Sequence, residues 1–151
     1  MAIFRRNKAK DRVEILLVED SPGDARLAIE ALKESSVDNN LHHVADGEEA
    51  IDFLYMRGKY HDAPRPNLIL LDLNLPKING LEVLAHINSQ ESLSDIPVVV
   101  LSISESESDI ERSYKLNARS YITKPLYLDD FIEVFERIKH FWLKPAIDLD
   151  S

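Results

Sequence analysis

The chain has 151 residues, of which 44% are hydrophobic and 30% are charged. This length and composition are typical of one globular domain that can bury a core of its own. Cysteine is absent, which excludes disulfides and thiolate metal sites, and no apolar segment is long enough for a membrane span or a signal sequence. The 18 basic and 27 acidic residues give a net charge of −9, which argues against a nucleic-acid-binding surface. We therefore expect a cytoplasmic protein that binds neither nucleic acid nor membrane.

Five short apolar segments predict β-strands. Val13–Val18, Leu68–Leu71 and Val98–Leu101 are apolar on both faces, as strands inside a parallel sheet must be. Leu41–Ala45 and Arg119–Thr123 are more polar and predict weaker strands.

Segments with a helical period follow each strand. Ser21 before Pro22 is typical of an N-cap and a first helical residue, and Asp46 with Glu49 predicts a capping box. The predicted apolar helix faces are Leu27, Ala28, Ala31 and Leu32; Ile51, Leu54 and Tyr55; Leu81, Leu84 and Ile87; Ile110, Tyr114 and Ala118; and Phe131, Ile132, Phe135, Ile138 and Trp142.

This alternation predicts an α/β protein with a three-layer, flavodoxin-like (βα)5 fold. Right-handed crossovers place helices on both faces of a five-stranded parallel sheet in the order 2-1-3-4-5. We expect the folded unit to span residues 13–142, between a flexible basic tail at 1–12 and a C-terminal tail at 143–151. The connection Arg57–Asn67 is long and holds two prolines, which predicts an ordered excursion.

Polar side chains follow the ends of the strong strands, at the edge where ligands bind in such sheets. These residues are Glu19 and Asp20 after the first strand, Asp72 after the third, Ser102 after the fourth, and Lys124 with Pro125 after the fifth. Three converging carboxylates repel one another unless a cation holds them, and an all-oxygen ligand set suits Mg²⁺. The sequence therefore predicts a magnesium site formed by Glu19, Asp20 and Asp72.

The same residues suit phosphoryl chemistry. A carboxylate beside Mg²⁺, here Asp72, can attack a phosphoryl group, while Lys124 and Ser102 would contact its oxygens. The sequence offers no second acid or base near Asp72 of the kind that a hydrolase needs. We therefore expect the phosphoryl group to persist, so that the protein is a switch and not an enzyme.

The chain resembles the receiver domain of two-component response regulators. The resemblance rests on ILLVEDS at 15–21, LILLDLNLPKINGLEVL at 68–84, VVVLS at 98–102 and SYITKP at 120–125. The stretch APRPNLILLDLNLPK and the later KHFWL are similar to single-domain regulators that partner phytochrome-type histidine kinases. The chain departs from the usual receiver pattern at Ile103, where a small residue is common, and at Ser102, where threonine is commoner.

The resemblance implies a role for each site residue. Asp72 would be the phosphoacceptor, with Asp20 a direct metal ligand, Glu19 a ligand through water, and the backbone carbonyl of Asn74 a further ligand. Lys124 and Ser102 would contact the phosphoryl group. Tyr121 would change position together with Ser102, and the Lys124–Pro125 bond would be cis.

Output would then depend on protein–protein contact, because fewer than ten residues follow the last predicted helix. We expect a histidine kinase as phosphodonor and a homodimer through the fourth helix, fifth strand and fifth helix, near Tyr114 and Trp142. The acidic segment 102–109 would be a moving element above the site.

Three alternatives remain. An aspartyl-phosphate phosphatase of the haloacid dehalogenase type uses a second Asp two residues after the nucleophile, where this chain has Asn74. A flavodoxin-like cofactor binder would need a phosphate cradle after the first strand, where Glu19, Asp20 and Asp24 would repel a phosphate. A degenerate receiver would act only as a scaffold.

Overall fold

The computed structural model describes residues 12–139. Within them, a parallel sheet has the order β2-β1-β3-β4-β5, as predicted. Its strands are β1 (Val13–Val18), β2 (Asn39–Val44), β3 (Leu68–Leu71), β4 (Val98–Ser102) and β5 (Ser120–Thr123). The helices are α1 (Pro22–Glu34), α2 (Gly47–Leu54), α3 (Gly80–Ser89), α4 (Glu107–Lys115) and α5 (Leu128–Ile138). Trp142 lies outside the described residues. The two predicted tails also lie outside them, except for Arg12.

The side chains of the central strands alternate between two apolar layers. Ile15 and Leu17 of β1 pack in the cluster that includes α1 and α5, whereas Leu16 and Val18 pack in the cluster that includes α2 and α3. All four side chains are buried. Because both faces of the sheet are covered, the predicted three-layer architecture is confirmed.

Hydrogen bonds from backbone N–H groups to side-chain oxygens define the starts of the first two helices. The Ser21 hydroxyl accepts a hydrogen bond from the Asp24 N–H at 3.4 Å. The Asp46 carboxylate accepts one from the Glu49 N–H at 2.8 Å. The returning bond of a capping box would come from the N–H of Asp46, but the Glu49 carboxylate instead accepts from the N–H of Ala45. Both predicted helix starts are therefore confirmed, although at α2 the donor to the Glu49 carboxylate is Ala45 and not Asp46.

Two helix faces differ from those predicted. Helix α2 buries Ala50 and Phe53, whereas Ile51 and Leu54 are only half-buried. This helix has only eight residues, and Ala50, Ile51, Phe53 and Leu54 form one broad apolar stripe, so periodicity alone does not select which part of the stripe is buried. In α4 the only buried residue is Ser113, because the helix is polar almost all round.

The connection between α2 and β3 is ordered, as predicted. It contains a 3-10 turn at Gly58–Tyr60, and the Tyr60 hydroxyl donates to the Glu49 carboxylate at 2.6 Å. Arg65 at its far end forms an ion pair with Asp95 at 2.7 Å.

The strand register brings the polar residues to one edge of the sheet. Val18 of β1 is opposite Leu71 of β3, and Ser102 of β4 is opposite Thr123 of β5. The pairing continues one residue further on each side, because Asp72 N–H donates to Val18 C=O at 3.0 Å and Lys124 N–H donates to Ser102 C=O at 2.9 Å. Between residues 12 and 139 the structure has no helix long and apolar enough to cross a bilayer.

Candidate functional site

The ammonium group of Lys124 lies among three carboxylates at the carboxyl edge of the sheet. Its Nζ is 2.6 Å from Glu19 Oε1, 3.1 Å from Asp72 Oδ2 and 2.9 Å from Asp24 Oδ2. Lys124, Glu19 and Asp72 are buried. The three donors of the ammonium are thus matched by three charged acceptors.

Burial and charge shift the pKa values of Glu19 and Lys124. Burial raises the pKa of the Glu19 carboxyl to about 7, against the lowering effect of its hydrogen bond with Lys124. Burial alone would lower the pKa of the Lys124 ammonium, but its hydrogen bonds to Glu19 and Asp24 outweigh that effect and raise it. The single positive charge of Lys124 therefore lies against two buried carboxylates, Glu19 and Asp72, and against the more exposed carboxylate of Asp24.

The carboxylates predicted to hold a metal ion are brought together. Glu19, Asp20 and Asp72 each offer one oxygen, and these oxygens lie within 4.8 Å of one another. Glu19 and Asp72 are buried, whereas Asp20 is exposed, so the cluster opens to solvent on the Asp20 side. An all-oxygen donor set with access to water fits a hard divalent cation that keeps part of its hydration shell.

The loop after β3 fixes the carboxylate of Asp72. Its Oδ1 accepts a hydrogen bond from the Asn74 N–H at 3.1 Å, while Oδ2 faces Lys124. The Gly80 N–H donates to the Leu73 carbonyl at 2.9 Å and closes the loop at the start of α3. Asn74 therefore contacts Asp72 through its N–H group, and the metal contact that the receiver resemblance implies for its carbonyl stays a prediction.

Ser102 and Tyr121 are connected through the loop after β4. The buried Ser102 hydroxyl accepts a hydrogen bond from the Ser104 N–H at 3.1 Å. The Tyr121 hydroxyl donates to the Ser104 carbonyl at 2.8 Å. Ser104 is thus bonded on its two sides to the two residues that the receiver resemblance couples.

The predicted cis bond between Lys124 and Pro125 is wrong for this structure. The described residues contain no cis peptide bond, so this bond is trans. The trans isomer is intrinsically favoured by about 0.5–1 kcal/mol before proline. The Lys124 side chain reaches its three carboxylates with the trans bond, so that contact does not require the rarer isomer.

Asp24 is the contact that the sequence reasoning missed. The sequence indicates only a charge that would repel a bound phosphate, yet Asp24 holds Lys124, 100 residues away in the chain. The available signal was its place in the first turn of α1, close to the predicted site.

The chain is similar to known proteins of one family. The family model for the response regulator receiver domain matches residues 15–136. Response regulator Rcp1 of Synechocystis sp. is 50% identical over 130 residues, which cover 86% of this chain and 88% of that protein. A probable methanogenesis regulatory protein, FilR2 of Methanothrix harundinacea, is 40% identical over 137 residues, covering 90% of this chain and 87% of that protein.

Two solved structures are also similar. The Mn²⁺-bound form of Rcp1 has a TM-score of 0.79 and 49% identity, with coverage of 87% of this chain and 95% of that one. The phosphorylated cyanobacterial phytochrome response regulator RcpA has a TM-score of 0.82 and 48% identity, with coverage of 89% and 96%. These relatives confirm the predicted similarity to phytochrome response regulators. From its fold, its acidic cluster and these matches, the chain belongs to the response regulator receiver domains of two-component signalling.

Proposed function

We propose that this chain is a single-domain response regulator that accepts a phosphoryl group on Asp72 from a histidine kinase, with Mg²⁺ as cofactor. The observation that carries the proposal is that the buried Asp72 carboxylate belongs to the carboxylate cluster that can hold a cation and also lies 3.1 Å from the Lys124 ammonium. The transferred group is negatively charged on its oxygens, so positive groups on both sides of the acceptor favour the transfer.

In the proposed step, a carboxylate oxygen of Asp72 attacks the phosphorus atom of a phosphohistidine. The new O–P bond forms an acyl phosphate as the P–N bond breaks, and the leaving imidazole nitrogen keeps the electron pair. Mg²⁺, when bound by Glu19, Asp20 and Asp72, would neutralise charge on the phosphoryl oxygens. We further propose the Asn74 carbonyl as an additional ligand, as the receiver resemblance implies.

Lys124 and Ser102 would hold the transferred group. The ammonium already lies 3.1 Å from Asp72 Oδ2, so a short movement would bring it to a phosphoryl oxygen on that carboxylate. The Ser102 hydroxyl accepts from Ser104 N–H, which leaves its own proton free to be donated. We assign the protein a signalling role and no substrate turnover, because the resulting acyl phosphate would be a stored state.

The bonds around Ser104 support a switch from Ser102 to Tyr121. If the Ser102 hydroxyl turned toward a phosphoryl group, its bond with Ser104 N–H would weaken, and the Ser104 carbonyl that holds the Tyr121 hydroxyl would be free to move. The nearby helix α4 buries only Ser113 and can shift at low cost. Phosphorylation would thereby change the surface of α4 and β5.

We propose this surface, formed by α4, β5 and α5, as the face of a homodimer. β5 is an edge strand, and the Tyr114 hydroxyl accepts a hydrogen bond from the Tyr121 N–H at 3.1 Å on that edge. Tyr114 is nonetheless 48% exposed, so an aromatic surface remains for a partner. The proposed kinase is of the phytochrome type, by analogy with the relative RcpA, and the proposed location is the cytoplasm, where such kinases obtain ATP.

Intact mass spectrometry tests the proposed phosphorylation. Wild type incubated with acetyl phosphate and Mg²⁺ should gain the mass of one phosphoryl group, and Asp72→Ala should gain none. Asp62→Ala, which removes an equally charged but 91% exposed carboxylate, is the matched control and should behave as wild type. If wild type gained no mass from acetyl phosphate or from a phosphorylated phytochrome-type kinase, the scaffold alternative would replace this proposal.

A further inference from the structure

Asp24 differs from the other two carboxylates that hold Lys124. Its side chain is 45% exposed, whereas those of Glu19 and Asp72 are 4% and 5% exposed. It stands in the first turn of α1, where the backbone is fixed by the Ser21 cap. The ammonium therefore lies between two buried acceptors and one acceptor at the outer rim of the site.

Asp24 also lies outside the group of carboxylates that could hold a cation. That group consists of Glu19, Asp20 and Asp72, so two of the three acceptors of Lys124 would also be ligands or neighbours of a bound metal ion. An ammonium and a divalent cation repel each other and would compete for the same oxygens. Asp24 is the acceptor of Lys124 that this competition leaves unaffected.

We propose that Asp24 is a positioning residue that, from the rim of the site, keeps the Lys124 ammonium close to Asp72 when a divalent cation occupies the carboxylate cluster. The inference rests on the proposed Mg²⁺ site and concerns how one buried edge accommodates two positive groups. Without the Asp24 carboxylate, the ammonium has only Glu19 and Asp72 as charged partners among its described contacts, and it resists the entry of the cation. With the carboxylate, Lys124 stays paired close to Asp72, where a phosphoryl group would meet it.

Calorimetric titration with MgCl₂ measures how the Asp24 carboxylate changes the affinity for Mg²⁺. We expect Asp24→Asn to weaken Mg²⁺ binding about tenfold, the factor for the loss of one charge-assisted hydrogen bond. Asp24→Glu keeps the carboxylate and should restore most of the affinity. Glu30→Gln removes the same charge further along α1, on a side chain that pairs with Lys33, and should leave the affinity within about twofold of wild type.

A double-mutant cycle separates positioning from simple attraction between Asp24 and the cation. If Asp24 acts through the ammonium, Asp24→Asn should change Mg²⁺ affinity less than about twofold in a Lys124→Ala background. An undiminished tenfold effect in that background would overturn the inference, because Asp24 would then act on the cation directly. Lys124→Met, which keeps an apolar stem, serves if Lys124→Ala fails to fold.

The outcomes also distinguish this inference from the proposed function. Absence of Mg²⁺ binding by wild type would refute the proposed function. Normal binding by wild type together with an unchanged affinity in Asp24→Asn would refute the positioning role alone. Unfolding curves in metal-free buffer show whether each variant is folded before its affinity is compared.

Discussion

Gly80 is the residue at which a single methyl group should disturb both the fold and the site. It is the first residue of α3, directly after the loop that carries Asp72. A Cβ atom added here would overlap the carbonyl oxygen of Asp72 and the Cα of Leu73, and it would lie 3.0 Å from the Leu73 carbonyl oxygen. All three atoms belong to the backbone, so no side-chain rotation relieves the overlap.

The expected loss of stability in Gly80→Ala follows from the backbone atoms that the added Cβ would displace. Carbon atoms in contact prefer separations of about 3.5–4.0 Å, and overpacking of this kind costs about 1–3 kcal/mol. The loop is held by hydrogen bonds from Asp72 N–H to Val18 and from Gly80 N–H to Leu73, and loss of one costs about 0.5–1.5 kcal/mol. We expect Gly80→Ala to lower the free energy of unfolding by about 2–4 kcal/mol.

Urea unfolding of wild type and Gly80→Ala tests this value. The matched control is Gly23→Ala in the first turn of α1, where an added Cβ meets no atom within 4 Å. That control should be as stable as wild type or more stable by up to about 1 kcal/mol, because alanine restricts the unfolded chain. A Gly80→Ala variant within about 0.5 kcal/mol of wild type would refute the reasoning.

Gly80→Ala should also be phosphorylated more slowly than wild type. If the overlap displaces Asp72 by about 1 Å, the proposed transfer from acetyl phosphate would slow by up to about 100-fold, while Gly23→Ala keeps the wild-type rate. A folded Gly80→Ala protein with an unchanged rate would show that the loop relaxes away from the site.

Three further predictions concern the core, the loop before β3 and the lifetime of the proposed phosphoryl group. Phe135 is buried and stacks on Phe131 with ring centroids 5.1 Å apart, so Phe135→Ala should lower the unfolding free energy in urea by about 3–5 kcal/mol; a loss below about 1 kcal/mol would contradict this. Tyr60→Phe removes the hydrogen bond that lowers the pKa of Glu49 below 4.5 and should cost about 1–2 kcal/mol at pH 7. Because the folded pKa of Glu49 lies below the unfolded value, this stabilisation is complete above pH 4.5 and is lost as the pH falls through the folded pKa. Unfolding curves of wild type and variant should therefore converge in acid. A pH-independent difference between them would argue against the hydrogen bond. Ile103 is 64% exposed beside Ser102, and its bulk should limit the access of water, so Ile103→Ala should shorten the phosphoryl lifetime followed by intact mass; an unchanged decay would exclude this role.

The strands, their order and the edge at which the site lies could be predicted from the amino-acid pattern alone. Three strands are apolar on both faces, and this pattern has few solutions other than the interior of a parallel sheet. Once parallel strands are assigned, the chain direction alone requires the residues after them to meet at one edge. For that reason Glu19, Asp20 and Asp72 could be placed together from the sequence alone, and the structure brings their oxygens within 4.8 Å.

The buried face of α2 and the isomer of the bond before Pro125 could not be predicted from the sequence, because the packing of the folded chain decides both. The face that α2 turns inward depends on how the helix packs in the folded protein, because its eight residues carry one broad apolar stripe of which only part is buried. The trans bond before Pro125 likewise depends on the surrounding chain, because the two isomers differ intrinsically by only about 0.5–1 kcal/mol.

The contacts around Lys124 and Ser104 could come only from the tertiary structure. Asp24 and Lys124 are 100 residues apart, and the bond between Tyr121 and Ser104 joins β5 to the loop after β4 across 17 residues. Neither pair has a spacing that secondary structure would impose. Each forms because a fold chosen by apolar burial places polar side chains within hydrogen-bonding distance, at an edge where burial makes an unpaired charge costly.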